Sequence, residues 1–394
     1  LNKHILDQSV QEFISHHLND DVHKIAMSKS PFKEVESREL ANQIAAKNKS
    51  ARKLPEWYNH SCIYYPPLLS IEQCSSETTA AYKAKLPIGN SLIDLTGGFG
   101  VDSHYFAKVV SSVVHCEINP ELSEIAAHNA GILGQNNIEF LATDGIEYLK
   151  NTTAKFDTIY IDPARRSTSG KVFMLKDCTP NVVEHLDLLL EKSSRIIIKT
   201  APLLDLTAGL KELKYVSEIH IVSVKNECKE LLWVIDKVEG LNVKITSVTL
   251  NETEKHFSFY KGDEETRETH ILAETPSGYL YEPDTALLKG GAFNLIGLTY
   301  GLEKLHLHTQ LYTSEIINSK FPGRIFRINR VISSGELKKE KQLIGNVIVR
   351  NYRDKAENLV KKYKIKPDNH RFLIFTESKK DGYIVIDATI EQHY

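Results

Sequence analysis

The sequence predicts an α/β fold: a mostly parallel, doubly wound sheet, preceded by a helical segment and followed by a small α+β module. Three observations carry that expectation. Between residues 91 and 236, short β-branched runs alternate with helical stretches, the pattern of a parallel sheet covered on both faces. Residues 1–85 place apolar side chains at helical spacing, and beyond about residue 321 a strand, a helix and two strands follow in close succession. A chain of 394 residues is too long for one ordinary core. The expected division is a helical N-terminal domain (1–85), a sheet domain (86–240), a connecting segment (241–320) and the C-terminal module (321–394).

In chain order, "HILDQSVQEFISHHL" and the alanine-rich "SRELANQIAAKNKSARKL" read as helices. Pro66 and Pro67 interrupt them, since proline lacks the amide a helix needs, and a new helix is expected near Ser75 or Ser76 with Glu77 in its first turn. Strands are expected at "SLIDLT", "SVVHCEI", "IEFLAT", "FDTIYID", "RIIIKT", "EIHIVSV" and "LLWVID". Only "KNECKE" separates the last two, so they form a hairpin and one of them runs antiparallel. After residue 237, "VEGLNVKITSVTLNETEKHFSFY" alternates like antiparallel strands, and the charged "KGDEETRETH" reads as a solvated turn. "PDTALLKGGAFNLIGLTYGLEKL" looks helical with a break at its adjacent glycines. Finally "QLIGNVIVRNY", "DKAENLVKKYKI", "RFLIFTES" and "YIVIDATI" read as strand, helix, strand, strand.

Composition narrows the function classes. A hydrophobic fraction of 41% with 25% charged residues fits a globular protein. No apolar run approaches the roughly 18 residues of a membrane span, and the polar start "LNKHILDQSVQEF" does not resemble a secretory leader. Five scattered cysteines without C-x-x-C spacing fit reduced thiols in the cytoplasm better than disulfides or a zinc site, so neither metal nor membrane is expected. The net charge of −2 hides a gradient: residues 320–380 carry 17 Lys and Arg against 6 Asp and Glu. That asymmetry points the C-terminal end toward a polyanion.

The predicted sheet gives four acids a common location. Asp94, with Gly97, Gly98 and Gly100, closes the first strand; Glu117, Asp144 and Asp162 close the next three. In doubly wound sheets, ligands sit beyond these carboxyl ends, where strand order reverses. Glu117 suits the two hydroxyls of a ribose, Asp144 an adenine amine, and the glycine loop the remainder of a nucleoside carrying an amino acid. A dinucleotide site would instead favour a third glycine where Ser103 stands. Asp144 also suits a helix cap, and Asp102 either a cap or a ligand contact.

"LIDLTGGFG", "HCEIN", "ATDG" and "YIDPARR" together resemble the motifs of class I S-adenosylmethionine (SAM) methyltransferases. "YYPPLLSIEQCSSETTAAYKA", "DLTGGFGVD", "DPARR", "KNECKELL" and "YEPDTALLKGGAF" resemble more closely the bacterial THUMP-like-domain methyltransferase family, over nearly the whole chain. The resemblance implies a Rossmann-like methyltransferase sheet, a ferredoxin-like segment, a THUMP-like module, SAM as cofactor and RNA as partner. The implied cofactor site comprises Asp94, Thr96, Gly97, Gly98, Gly100, Glu117, Ile118, Asp144 and Gly145. Asp162, Pro163 and Arg165 are the expected catalytic residues, with Arg166, Asn226 and Glu227 against the substrate.

"DPARR" departs from the Asp-Pro-Pro-aromatic motif of amino-group methylases: Ala164 replaces the second proline and Arg165 the ring that stacks on a base. Arginine can stack or fork to phosphate instead. Cys228 in the hairpin is a candidate nucleophile toward a pyrimidine, or an inert wall. Cations interleaved with aromatics in "KFPGRIFRINR", "VIVRNYRDK" and "LVKKYKIK" suit phosphates and unpaired bases. The expected function is SAM-dependent methylation of an RNA base, in rRNA or tRNA. The alternatives are a silent methyltransferase fold that binds RNA and a methyltransferase acting on protein or a small molecule. A nicotinamide dehydrogenase is the remaining rival.

Overall fold

A computed structural model of the chain describes all residues except 166–173, 239, 241, 267–271 and 341, and of Arg165 the backbone alone. It divides into two compact units, Leu1–Ser217 with Leu232–Leu241 and Glu218–Leu231 with Asn242–Tyr394.

The first unit opens with helices α1 (Gln8–His16), α2 (Val22–Met27), α3 (Ser37–Lys53), α4 (Pro55–Asn59), α5 (Leu68–Gln73) and α6 (Glu77–Lys83). A capping box starts α3, where the Glu36 amide donates to Glu39 at 2.9 Å. Pro55 fits the first turn of α4, whose amides have no helical acceptor in any case. Ser76 caps α6 by accepting from the Thr79 amide at 3.2 Å. Ile5, Leu40, Ile44 and Trp57 from this segment form one buried cluster with Phe99, Val101 and Ile125 of the sheet region. Helical segment and sheet therefore share a core.

The alternating region follows as β1 (Ser91–Asp94), α7 (Val101–Ala107), β2 (Ser112–Cys116), α8 (Pro120–Ile132), β3 (Ile138–Leu141), α9 (Gly145–Asn151) and β4 (Phe156–Ile161). Two short strands, β5 (Ala164–Arg165) and β6 (Cys178–Thr179), pair with each other before α10 (Val182–Lys192), β7 (Ser193–Thr200) and α11 (Leu206–Glu212). β8 (Val216–Val224) and β9 (Glu227–Asp236) make the hairpin, and the division between units cuts through both. Its two-residue turn, Lys225-Asn226, has φ of 50° and 61°, the mirror-image turn whose twist matches the strands. All seven strands expected from the alternating pattern are present. Within the first unit the order is β9-β7-β4-β1-β2-β3, and β1, β2, β3, β4 and β7 pair in parallel. The chain moves outward from β1 on one side and returns to β4 on the other. The β1/β4 carboxyl ends are thus the switch point.

In the second unit, β10 (Lys244–Leu250) pairs in parallel with β8 and antiparallel with β11 (Glu254–Tyr260). Then come β12 (Tyr279–Pro283), α12 (Thr285–Gly290), α13 (Phe293–Tyr300), β13 (Glu303–His306), β14 (Thr309–Ser314), β15 (Gly323–Ser333), α14 (Ser334–Leu337), β16 (Asn346–Val349), α15 (Ala356–Tyr363), β17 (Arg371–Ser378) and β18 (Gly382–Gln392). A sheet of order β13-β14-β12-β15-β18-β17-β16 joins these strands.

The sequence reading did not anticipate β12 to β15. β15 is the instructive miss, because "GRIFRINRVIS" reads as a basic run. Its arginines are answered across the sheet: Arg324 pairs with Glu282 of β12, Arg330 with Asp387 of β18, and Arg327 with Glu391 of β18. Acids 42 to 64 residues away in sequence let a charged strand sit in the middle of a sheet, and no local pattern reveals them.

Candidate functional site

Residues at the carboxyl ends of β1, β2 and β4 are wired together by backbone and side-chain bonds. Asp94, only 1% exposed, accepts from the Thr96 amide at 3.0 Å and the Ser103 hydroxyl at 2.7 Å. The Thr96 hydroxyl in turn accepts from the Asp162 amide at 2.7 Å. Gly97 donates to the Cys116 carbonyl at 2.8 Å, and Gly98 to a Glu117 carboxylate oxygen at 2.9 Å. Each strand end therefore fixes its neighbour.

The glycines are needed for two different reasons. A Cβ on Gly97 would lie 2.2 Å from Nε2 of the fully buried His115 ring. Gly100 adopts φ +83° as the residue before α7, a conformation in which a side chain is strained. The loop is consequently bare backbone laid over an imidazole, which burial keeps neutral by pushing its pKa down to about 4. Gly145 packs as tightly, its would-be Cβ 2.6 Å from the Leu95 carbonyl oxygen.

The four acids differ in environment. Burial pushes the Asp94 carboxyl up to about 7, against the opposing bonds from Ser103 and Thr96. In this position it braces the loop. Glu117 is half-buried and also accepts from the Asn119 amide at 2.8 Å, beside an Ile118 side chain 70% exposed. Asp144 is exposed and caps α9, one oxygen accepting from the amides of Ile146 and Glu147 at 2.8 and 3.1 Å. Its other oxygen is directed to neither amide. Asp162 forms an ion pair with Lys199, the penultimate residue of the adjacent strand β7.

Behind the loop lies a second charged group that sequence reasoning missed. Lys83, fully buried at the end of α6, contacts Asp102 of α7 at 3.0 Å. Ser75 and Tyr160 donate to the same carboxylate, each at 2.8 Å. Burial opposes charge on Asp102, yet the ammonium groups of Lys83 and Lys199 and these donors outweigh it and hold the carboxyl below its ordinary value. "QCSSE" thus packs against α7 through Ser75, and Asp102 is an anchor for α6. The available sequence signal was a charge closing an uncharged stretch, Lys83 after "TTAAY" and Lys199 after "III".

Pro163 is buried, and Ala164-Arg165 is extended against Cys178-Thr179. Arg166 lies outside the described residues. Asn226 and Glu227 belong to the second unit, where the Asn226 side chain accepts from the Thr285 amide at 2.9 Å and Glu227 pairs with Lys229 at 2.5 Å. Burial pushes the Cys228 thiol up to about 12. The second unit's positive charge also resolves into two kinds. Its Arg324, Arg330, Arg350 and Arg371 are tied to Glu282 or Asp387, both almost fully buried. Lys338, Lys339, Lys355, Lys361, Lys362, Lys364 and Lys366 are exposed.

Among the described residues no helix is long and apolar enough to cross a membrane, and no cluster of three or more metal-ligating side chains occurs. Family profiles match residues 279–322 as a ferredoxin-like domain and 323–388 as a THUMP domain-like module. The crystal structure of a protein from Porphyromonas gingivalis W83, assigned as a methyltransferase, is 31% identical, covers 99% of both chains and superposes with a TM-score of 0.87. An uncharacterised SAM-dependent methyltransferase of Mycobacterium tuberculosis is 23% identical over 60% of this chain and 62% of its own length. An uncharacterised RNA methyltransferase of Mycoplasma mobile is 33% identical over 22% of this chain and 24% of its own length.

Proposed function

The chain belongs to the family of THUMP-like-domain methyltransferases, and from that premise we propose that it transfers a methyl group from SAM to RNA. The observation that carries the reading is the rim of the first unit's sheet, where a loop of bare backbone adjoins carboxylates at successive strand ends.

The residues fit the cofactor by chemistry. Glu117 uses each carboxylate oxygen once, for the Gly98 and Asn119 amides, which leaves lone pairs for the two hydroxyls of a ribose. Asp144 keeps one oxygen for an exocyclic amine, and exposed Ile118 offers apolar surface to an adenine face. At Gly98, where a Cβ would meet nothing nearer than the Thr96 carbonyl oxygen at 3.9 Å, the bare backbone lets the amino-acid portion approach. Bound SAM supplies a methyl group already activated on a sulfonium. The protein's task is then to align an acceptor and keep water out. Asp162, held from behind by the Thr96 hydroxyl, is the acceptor-orienting residue in this reading, with Pro163 shaping the turn.

RNA as the partner is supported by the THUMP domain-like match, by the relatives named as RNA methyltransferases and by the exposed lysines of the second unit. The test is transfer of radiolabelled methyl from SAM to total RNA of a strain lacking the gene, with protein and DNA fractions in parallel. Label in RNA that is lost in Asp162→Ala is expected. SAM binding with label only in protein or small molecules, or with none anywhere, refutes it.

A further inference from the structure

Resting on the reading of the chain as an RNA methyltransferase, we propose that the acceptor atom is a ribose hydroxyl oxygen, with Asp162 receiving its proton and Lys199 positioning Asp162 and offsetting the charge that grows on the oxygen. The juxtaposition that carries this is the Lys199–Asp162 ion pair at the ends of parallel neighbours β4 and β7, beside the β1/β4 switch point.

The sign of the charge discriminates among acceptors. An amine nitrogen becomes more positive as it bonds to the methyl group, and an ammonium beside it opposes that change. A hydroxyl oxygen becomes more negative as its proton leaves, and the same ammonium favours it. Lys199 does not stand alone. Lys53, Lys83, Lys199 and Asp102 all act electrostatically on Cys74, which places these charges in one neighbourhood. Lys83 is matched by Asp102 and Lys199 by Asp162, and Lys53 donates to the Ile71 and Glu72 carbonyls at 2.8 and 2.7 Å. Glu72 and Lys49 also act on Lys53, and Asp102 and Asp162 on Asp94, so both signs are represented here and what favours the oxygen is Lys199 standing directly at Asp162.

One further feature disfavours a pyrimidine carbon. A pyrimidine carbon acceptor needs a thiolate nucleophile, and burial pushes the thiols of Cys74 and Cys116 up to about 11 and 12. Cys178 is fully buried.

In the balanced step the hydroxyl oxygen forms the new C–O bond as the methyl–sulfur bond breaks, that electron pair remaining on sulfur as a thioether. The hydroxyl proton passes to the Asp162 carboxylate and then to solvent. Lys199 stays protonated throughout, and no oxidant, reductant or further reactant is required.

The experiment extends the labelling assay to the position of the methyl group. Labelled RNA is digested to nucleosides and analysed by mass spectrometry, with alkali-resistant dinucleotides as an independent mark of a blocked 2′-oxygen. Label on ribose is the expected result. Label on a base overturns this inference and leaves the RNA methyltransferase reading standing, whereas no label in RNA overturns both. Lys199→Met should lower transfer about 100-fold, and Lys199→Arg should recover part of it; equal loss in both overturns the charge role. In the cofactor-free protein, the side-chain ammonium signal of Lys199, identified by its loss in Lys199→Met, should move in Asp162→Asn relative to wild type at fixed pH. An unmoved signal would dissolve the pair on which the inference stands.

Discussion

Asp94 and Gly97 show how single residues set the conditions for the site. Gly97 sits where a methyl group would overlap the His115 ring, and that ring, fully buried, has no room to yield. Gly97→Ala should cost about 1–3 kcal/mol or more, read as a lower urea midpoint, together with loss of SAM binding by calorimetry. Asp94 gives a pH signature. Its carboxyl is raised from 3.8 to about 7, so between those values the folded protein keeps a proton that the unfolded chain has released. Stability contributed by this group is therefore full below the lower value and declines as pH rises toward 7. Asp94→Asn should flatten that decline in thermal melts from pH 4 to 7, and an unaltered slope would contradict the assigned burial.

At the level of elements, the clamp between α6 and α7 is the most consequential feature. Lys83 and Asp102 are two buried charges that satisfy each other, with Ser75 and Tyr160 completing the carboxylate's bonds. Breaking such a pair leaves an uncompensated charge in a low-dielectric interior. Lys83→Met should thus destabilise the protein by about 3–5 kcal/mol, while Lys83→Met with Asp102→Leu should recover much of the loss in a double-mutant cycle. The β8–β9 turn offers the opposite sign. Lys225 is held at φ +50°, a region that asparagine tolerates better, and its amide bond to Asn251 at 2.7 Å does not depend on its side chain. Lys225→Asn should raise stability by up to about 1 kcal/mol in chemical denaturation.

For the whole molecule, the division of labour between arginine and lysine governs the RNA prediction. The arginines paired with Glu282 and Asp387 bind strand to strand, so removing them would damage folding. The lysines of α15 and its end are exposed and available to phosphate. Replacing Lys361, Lys362 and Lys364 with Glu should weaken RNA binding by about tenfold or more at 0.1 M salt and flatten its salt dependence by roughly 2–3 in log–log slope. SAM affinity should remain unchanged, and an unaltered salt slope would remove α15 from the RNA surface.

Much of this was legible in the residues themselves. The seven strands from "SLIDLT" to "LLWVID", the glycine loop and the acids at the strand ends follow from periodicity and turn chemistry, which act over a few residues and leave a local trace. The THUMP-like methyltransferase resemblance likewise rested on short contiguous motifs. What only the tertiary structure decided are the pairings between distant residues: Lys199 with Asp162, Lys83 with Asp102, and the acids that turn a basic run into the central strand β15. A charge read in sequence has a sign but no neighbour. Its neighbour, supplied by folding, determines whether it is solvated, structural or poised beside a reacting atom, because the energy of a buried charge depends on what stands within a few ångströms of it.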